Sequence, residues 1–159
     1  FPGVLYRGGK EKSIRQWLIE NNRIDTIIQL PANLFFGVGI ATCIIVLRKG
    51  MRPDNQVLFI DASREFVKNG NKNRLTQENQ DHIFHVFAER KEEQYFSCLV
   101  PNSDILANDA NLSVSSYVEQ EDIREVIDIK AVNAKLVELI AEGEELNRKI
   151  ETIIKELGA

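Results

Sequence analysis

Residues 24–47 read I-D-T-I-I-Q-L-P-A-N-L-F-F-G-V-G-I-A-T-C-I-I-V-L. Two apolar runs of strand length, rich in β-branched residues, flank a stretch with the turn chemistry of Pro31, Asn33, Gly37 and Gly39, so the segment is predicted to be strand, loop, strand. In the second run, 40–47, only Thr42 and Cys43 interrupt the apolar character. That pattern predicts a strand buried on both faces, inside a sheet. Phe35 and Phe36 fit neither strand's pattern. Two large aromatics in a glycine-containing loop, at the carboxyl end of a strand, have two readings: a plug that packs the loop onto the sheet, or a face for a ligand at the place where open α/β sheets bind one.

At 159 residues and 43% hydrophobic content, the chain has enough material for one domain with a core and an appendage. It opens on Phe1 in a loop-like pattern, which predicts a piece of a longer protein. No apolar stretch approaches the roughly 20 residues of a spanning helix, and the expected compartment is the cytoplasm. Cys43 and Cys98 stand alone and have no metal-type spacing, so reduced thiols are expected. The formal charge of −4 is split: residues 1–60 hold 8 Lys+Arg against 4 Asp+Glu, residues 61–159 hold 12 against 20. The basic part surrounds the aromatic loop, as a surface that meets phosphates would.

Around the central stretch, residues 3–10 form a turn into a helix expected over 10–21. Ile14, Trp17 and Leu18 provide its apolar stripe, and Lys12, Arg15, Gln16 and Glu20 lie outside it. The Arg7-Gly8-Gly9 turn is read as an ordinary tight turn or as a phosphate-facing helix start. F-F-G-V-G-I is not a dinucleotide loop, because its glycines open a strand pattern where phosphate binding needs a helix. The sequence has no P-loop, H-E-x-x-H helix, G-x-S-x-G elbow or Cys/His zinc spacing.

Residues 57–61 are expected as a strand and 62–75 as a polar loop carrying Arg64, Lys68, Lys72 and Arg74. Thr76 is expected to cap a helix to about Arg90, with Ile83, Phe84 and Phe87 buried. His82 and His85 on that helix are read as surface or half-buried residues, not a metal site. A strand follows at 95–100 and a loop at 101–118. In the tail, Ile129, Val132, Leu136, Leu139, Gly143, Leu146, Ile150, Ile153 and Leu157 step three and four alternately. Such a heptad seam predicts a long helix whose stripe is covered by another helix, in a partner or in the same chain.

Six blocks then carry a resemblance over nearly the whole chain: G-V-L-Y-R-G-G (3–9), I-E-N-N (19–22), the L-P-A-N-L-F-F-G-V-G-I-A-T-C-I-I-V-L segment (30–47), F-I-D-A-S-R-E-F (59–66), N-R-L-T (73–76) and I-L-A-N-D-A-N-L-S-V-S-S-Y-V (105–118). In order and spacing they resemble the modification (methyltransferase) subunit of type I restriction-modification systems. The resemblance implies an α/β fold: the C-terminal part of a Rossmann-like, S-adenosylmethionine-dependent methyltransferase sheet over 1–118, then a helical or coiled-coil tail over 119–159. It implies an adenine-specific DNA methyltransferase acting with a specificity subunit, and in some systems a restriction subunit. Phe35, with Phe36 beside it, matches the family's aromatic that stacks on the flipped adenine. Arg7, Lys10 and Lys12 are candidates for the DNA backbone, and Leu136, Leu139, Leu146, Ile150, Ile153 and Leu157 for the partner interface.

The family's Gly-rich donor motif and Asn-Pro-Pro-aromatic tetrapeptide have no match here, since Pro2, Pro31, Pro53 and Pro101 are each solitary. Both are expected upstream of Phe1, which places the S-adenosylmethionine site mainly outside this chain and predicts that the chain alone is inert. Two other readings use the same residues: a non-catalytic adapter with a coiled-coil arm and a nucleic-acid-contacting α/β half, and a small-molecule α/β enzyme whose aromatic loop holds a metabolite.

Overall fold

The computed structural model describes residues 2–50, 54–121 and 129–156. The chain divides at residue 121 into two units. In the first, a 3-10 turn (Pro2–Leu5) leads to α1 (Lys10–Glu20), β1 (Ile24–Gln29), β2 (Cys43–Leu47) and β3 (Gln56–Asp61). A small hairpin, β4 (Val67–Asn69) and β5 (Lys72–Arg74), precedes α2 (Gln77–Glu89), β6 (Ser97–Pro101), α3 (Asn102–Ala107) and a second 3-10 turn (Val114–Ser116). The second unit contains α4 (Ile129–Glu156).

The main sheet runs β2-β1-β3-β6. β1 and β3 are parallel, while β2 and β6 are antiparallel to their neighbours. The central pair is buried nearly throughout, as two-sided strands in an α/β sheet must be. One cluster on the sheet joins Leu5, Ile19, Ile27, Phe59, Ile105 and Leu112; another joins Ile28, Leu58, Ile60, Ile83 and Val86. Phe59 is fully buried, and its ring lies 4.5 Å from that of Tyr117.

Several expectations fail for identifiable reasons. Among the described residues β2 has only one hydrogen-bonded neighbour, and it has two half-buried and three exposed positions, where two-sided burial was predicted. Ile44, Ile45 and Leu47 are exposed, and among the described residues no element covers the outer edge of β2. On α1, Ile14 and Trp17 are 59% and 56% exposed, whereas Arg15, predicted to lie outside, is 5% exposed. Its burial is possible because Nε donates to the Ala110 carbonyl and Nη1 to the Val4 carbonyl, both at 2.8 Å. Even so, burial lowers the guanidinium's pKa from its ordinary value, against the opposing pull of Glu11 and Asp109.

On α2, Phe84 is exposed and Val86 takes its place in the core beside Ile83. Thr76 caps this helix as predicted, in a capping box with Asn79. Residues 62–75 contain the β4-β5 hairpin, and 101–118 contain α3, where loops were expected.

A second polar device anchors the sheet. Asp25, 1% exposed on β1, faces Arg48 Nε at 3.0 Å and Arg90 Nη1 at 3.2 Å. Arg90 sits in the left-handed region at the C-cap of α2 and also donates to the Gln56 carbonyl at 3.0 Å. One buried carboxylate thereby joins β1, β2's exit and the end of α2.

α4 is a 28-residue helix, about 42 Å at 1.5 Å per residue. Its Glu144–Arg148 and Glu145–Lys149 pairs follow the favourable acid-before-base order at i, i+4. Ile129, Leu136, Leu139, Leu146, Ile150 and Ile153 are all exposed along it. Leu157, named with them as an interface residue, lies outside the described residues.

Candidate functional site

The parallel pair β1 and β3 ends at Gln29 and Asp61, and the chain leaves both strands on the same side of the sheet. After β1, a hydrogen bond from Leu30 N to the Thr42 carbonyl at 2.8 Å closes the base of a loop over 31–41. Pro31 is buried, and Leu34 packs onto the cluster of Ile28, Ile60 and Ile83. These two residues are the plug.

The aromatics are not. Val38 N donates to the Phe35 carbonyl at 3.2 Å, and Gly37 has φ of 72°. That is the pattern of a type II turn, with glycine at the third position and Phe36 at the projecting second. Phe36 is 92% exposed and Phe35 53% exposed. Two adjacent exposed rings make an apolar patch at the tip of the loop, and the turn presents it to solvent.

The hairpin that follows β3 closes on this loop. Asn73 donates its backbone N–H to the Asn33 carbonyl at 3.1 Å and its side-chain amide to the Ala32 carbonyl at 2.8 Å. Asn33 accepts this with φ of 56°, which asparagine tolerates. Lys72 Nζ stands 3.9 Å from the centroid of the Phe36 ring, a cation–π contact. Gly70, with φ of 61°, makes the two-residue turn of the hairpin. The Gly70-Asn71 pair was the signal for it in the sequence, and the polar, three-residue strands on either side concealed it.

Glu65, next to the hairpin, is held from α2. Asn79 Nδ2 donates to Glu65 Oε2 at 2.6 Å, and His82 Nδ1 lies 3.2 Å from Glu65 Oε1. The other imidazole nitrogen, Nε2, is 2.9 Å from Glu93 Oε2, and the ring stacks on Phe96. Burial works against the His82 charge, but hydrogen bonds to Glu93 and Glu65 outweigh it and raise the pKa above the ordinary histidine value. Glu93 is held below the usual carboxylate range by its hydrogen bonds to Lys91 and His82. His85 pairs with Glu89, one turn away at 3.1 Å.

Among the described residues no group of His, Cys, Asp or Glu could hold a metal ion. Both cysteines are free thiols. Burial pushes Cys98 up to about 11 and also raises Cys43, so neither is poised as a nucleophile. No helix among the described residues is long and apolar enough to cross a membrane.

Among the described residues no hydrogen bond, ion pair or ring contact joins the three cations named for a DNA backbone, Arg7, Lys10 and Lys12, to the aromatic loop. Lys12 is engaged by Asp109. Arg7 and Lys10 are exposed, and the Arg7 side chain folds back over Gly3.

The N-6 DNA methylase family model matches residues 1–126. The methylase subunit of the type I restriction enzyme MpnII from Mycoplasma pneumoniae is 40% identical over 157 residues, which cover 99% of this chain and 29% of that protein. The MjaVII methylase subunit of Methanocaldococcus jannaschii is 38% identical over 152 residues, 88% of this chain and 26% of that protein. The crystal structure of a type I restriction-modification methyltransferase subunit from Streptococcus thermophilus superposes with a TM-score of 0.71 at 42% identity, over 74% of this chain and 25% of that one. The EcoKI M protein shares the fold at 19% identity and a TM-score of 0.62, over 99% of this chain and 40% of that one. The chain thus spans roughly a quarter to two fifths of the length of these relatives.

Proposed function

This chain belongs to the N-6 DNA methylase family, and from that premise we propose that it is the C-terminal part of the modification subunit of a type I restriction-modification system. The whole subunit transfers a methyl group from S-adenosylmethionine to the exocyclic amine of an adenine flipped out of duplex DNA. Residues 1–118 form the end of the Rossmann-like catalytic sheet, and 119–159 form the tail that assembles with a specificity subunit.

The observation that carries the reading is the aromatic turn. An enzyme that works on a base inside a duplex must extrude it and hold it on a flat apolar face. Phe35 and Phe36 offer such faces beyond the carboxyl ends of the parallel strands, with Leu34 and Pro31 anchoring the loop from beneath. One face of the Phe36 ring is under Lys72, which leaves Phe35 as the preferred platform for the base. This chain's part in the reaction is therefore to stack and orient the adenine.

The methyl donor supplies the transferred group when bound, but the described residues do not fit it. They contain no glycine-rich turn from a strand into a helix. Gly8 and Gly9 follow a 3-10 turn, not a strand, among the described residues, and the glycines of the aromatic loop lead into β2. No step is assigned to the donor within this chain, and the 159 residues alone are expected to be inactive.

Base stacking on an aromatic is worth about 1–3 kcal/mol. Phe35→Ala in the full-length enzyme should accordingly slow single-turnover methylation of a site-containing duplex by about one to two decades. Turnover at the wild-type rate removes Phe35 from the site and leaves the non-catalytic adapter as the better account.

A further inference from the structure

We propose that the β4-β5 hairpin is a DNA-backbone contact, in which Lys72 and Arg74, on one face of it, meet phosphates flanking the extruded base, while Lys68, across from Asn73, lies on the other face. The proposal rests on the reading of this chain as part of a DNA methyltransferase, and names a surface of that site.

The hairpin is a run of cations without a carboxylate among them. From 67 to 74 the sequence is V-K-N-G-N-K-N-R, three cations with no carboxylate. Elsewhere in the unit, Lys12 faces Asp109, Arg48 faces Asp25, Arg64 faces Glu121 and Lys91 faces Glu93. No carboxylate among the described residues pairs with Lys68, Lys72 or Arg74. The nearest acidic residue in sequence, Glu65, is already held by His82 and Asn79. Lys68 and Arg74 are exposed.

Geometry fixes where these charges stand. Asn73 ties β5 to Ala32 and Asn33, so the hairpin cannot leave the aromatic loop without breaking two hydrogen bonds. Lys72 and Arg74, two residues apart on one strand, project from the same face with backbones about 7 Å apart. Lys72 already touches Phe36. A polyanion whose base reached Phe35 would place its backbone within reach of this row. Duplex DNA carries a phosphate every 3.4 Å along each strand, roughly, so separate phosphates are available to separate side chains. Contacts of this kind set register and carry no sequence information.

The test is the salt dependence of DNA binding by the full-length protein. One phosphate contact contributes about 0.9 to the slope of log K against log salt concentration. The variant Arg74→Gln leaves Lys72 on Phe36 and should shrink the slope by about that amount, weakening specific and non-specific duplexes by the same factor. A slope equal to the wild type's overturns the proposal, provided the variant melts at the wild-type temperature. If Arg74→Gln unfolds, Arg74→Lys and Arg74→Met replace it: a full slope for the first and a reduced one for the second support the contact, and equal slopes refute it. Failure here is distinct from failure of the catalytic reading. An unchanged slope with slow Phe35→Ala methylation removes only the hairpin contact, and a reduced slope with wild-type Phe35→Ala turnover removes only the base platform.

Discussion

β2 and β3 are built from nearly the same material, C-I-I-V-L and Q-V-L-F-I-D, and have opposite fates. β3 lies between β1 and β6 with four consecutive buried residues, whereas β2 pairs on one side only and leaves three of its five residues exposed. Hydrophobicity along a strand states what it can bury. Its neighbours decide what it does bury. Under the proposed function, β2 is an edge prepared for the rest of the catalytic sheet, and α4 is a second apolar surface prepared for a partner helix.

The comparison predicts a graded set of effects. The largest belongs to the filled strand: Phe59→Ala should cost about 3–5 kcal/mol in denaturant unfolding, because it empties a closed site under Tyr117. Ile44→Ala on β2 should cost at most about 0.5 kcal/mol in the same assay, as a surface change does. Equal losses at the two positions would show that β2 is covered in solution.

Next in size is the prepared helix. Leu146→Glu should leave the melting of the first unit unchanged and weaken co-purification with a specificity subunit by about 2 kcal/mol, the scale of an interface hot spot. Undiminished co-purification would mean that this seam is not the interface.

The smallest effect comes from His82. Its folded pKa is raised, so the stabilisation it gives is complete below the unfolded-state pKa and is lost as pH rises through the folded value. The melting temperature should fall slightly from weakly acidic to weakly basic pH, and His82→Gln should flatten that dependence. The effect is modest because the side chain is 38% exposed.

The same comparison explains which parts of the molecule were legible. β1, β3, α1 and α2 announce themselves through period and punctuation, and Thr76 marks its helix start because capping is a local interaction. The aromatic loop was legible as a loop, but which of its apolar residues would be the plug was not. Leu34 turns inward while Phe35 and Phe36 do not, and the difference rests on the turn at Gly37 and the arrival of a hairpin some 35 residues later in the chain. Arg15 was misplaced for a related reason. Its two carbonyl acceptors come from Val4 and Ala110, and a helical wheel contains neither. The exposed edge of β2 was illegible because an apolar run states what a strand can bury, not how many neighbours it has among the described residues.

Arg15 also has a consequence for how the chain is made. Its bond to Ala110 spans 95 residues, and the Leu112 N–H returns to the Leu5 carbonyl at 2.8 Å. At a ribosomal pace of 5–20 residues per second, roughly 5–20 s separate the emergence of α1 from that of its acceptor. During that interval the guanidinium has no carbonyl at 110 to receive it, and α1 can stay wet on the face that will later be inside. The stretch around Ala110 and Leu112 acts as a late-arriving latch, setting the earliest moment in synthesis at which this half of the sheet can shut.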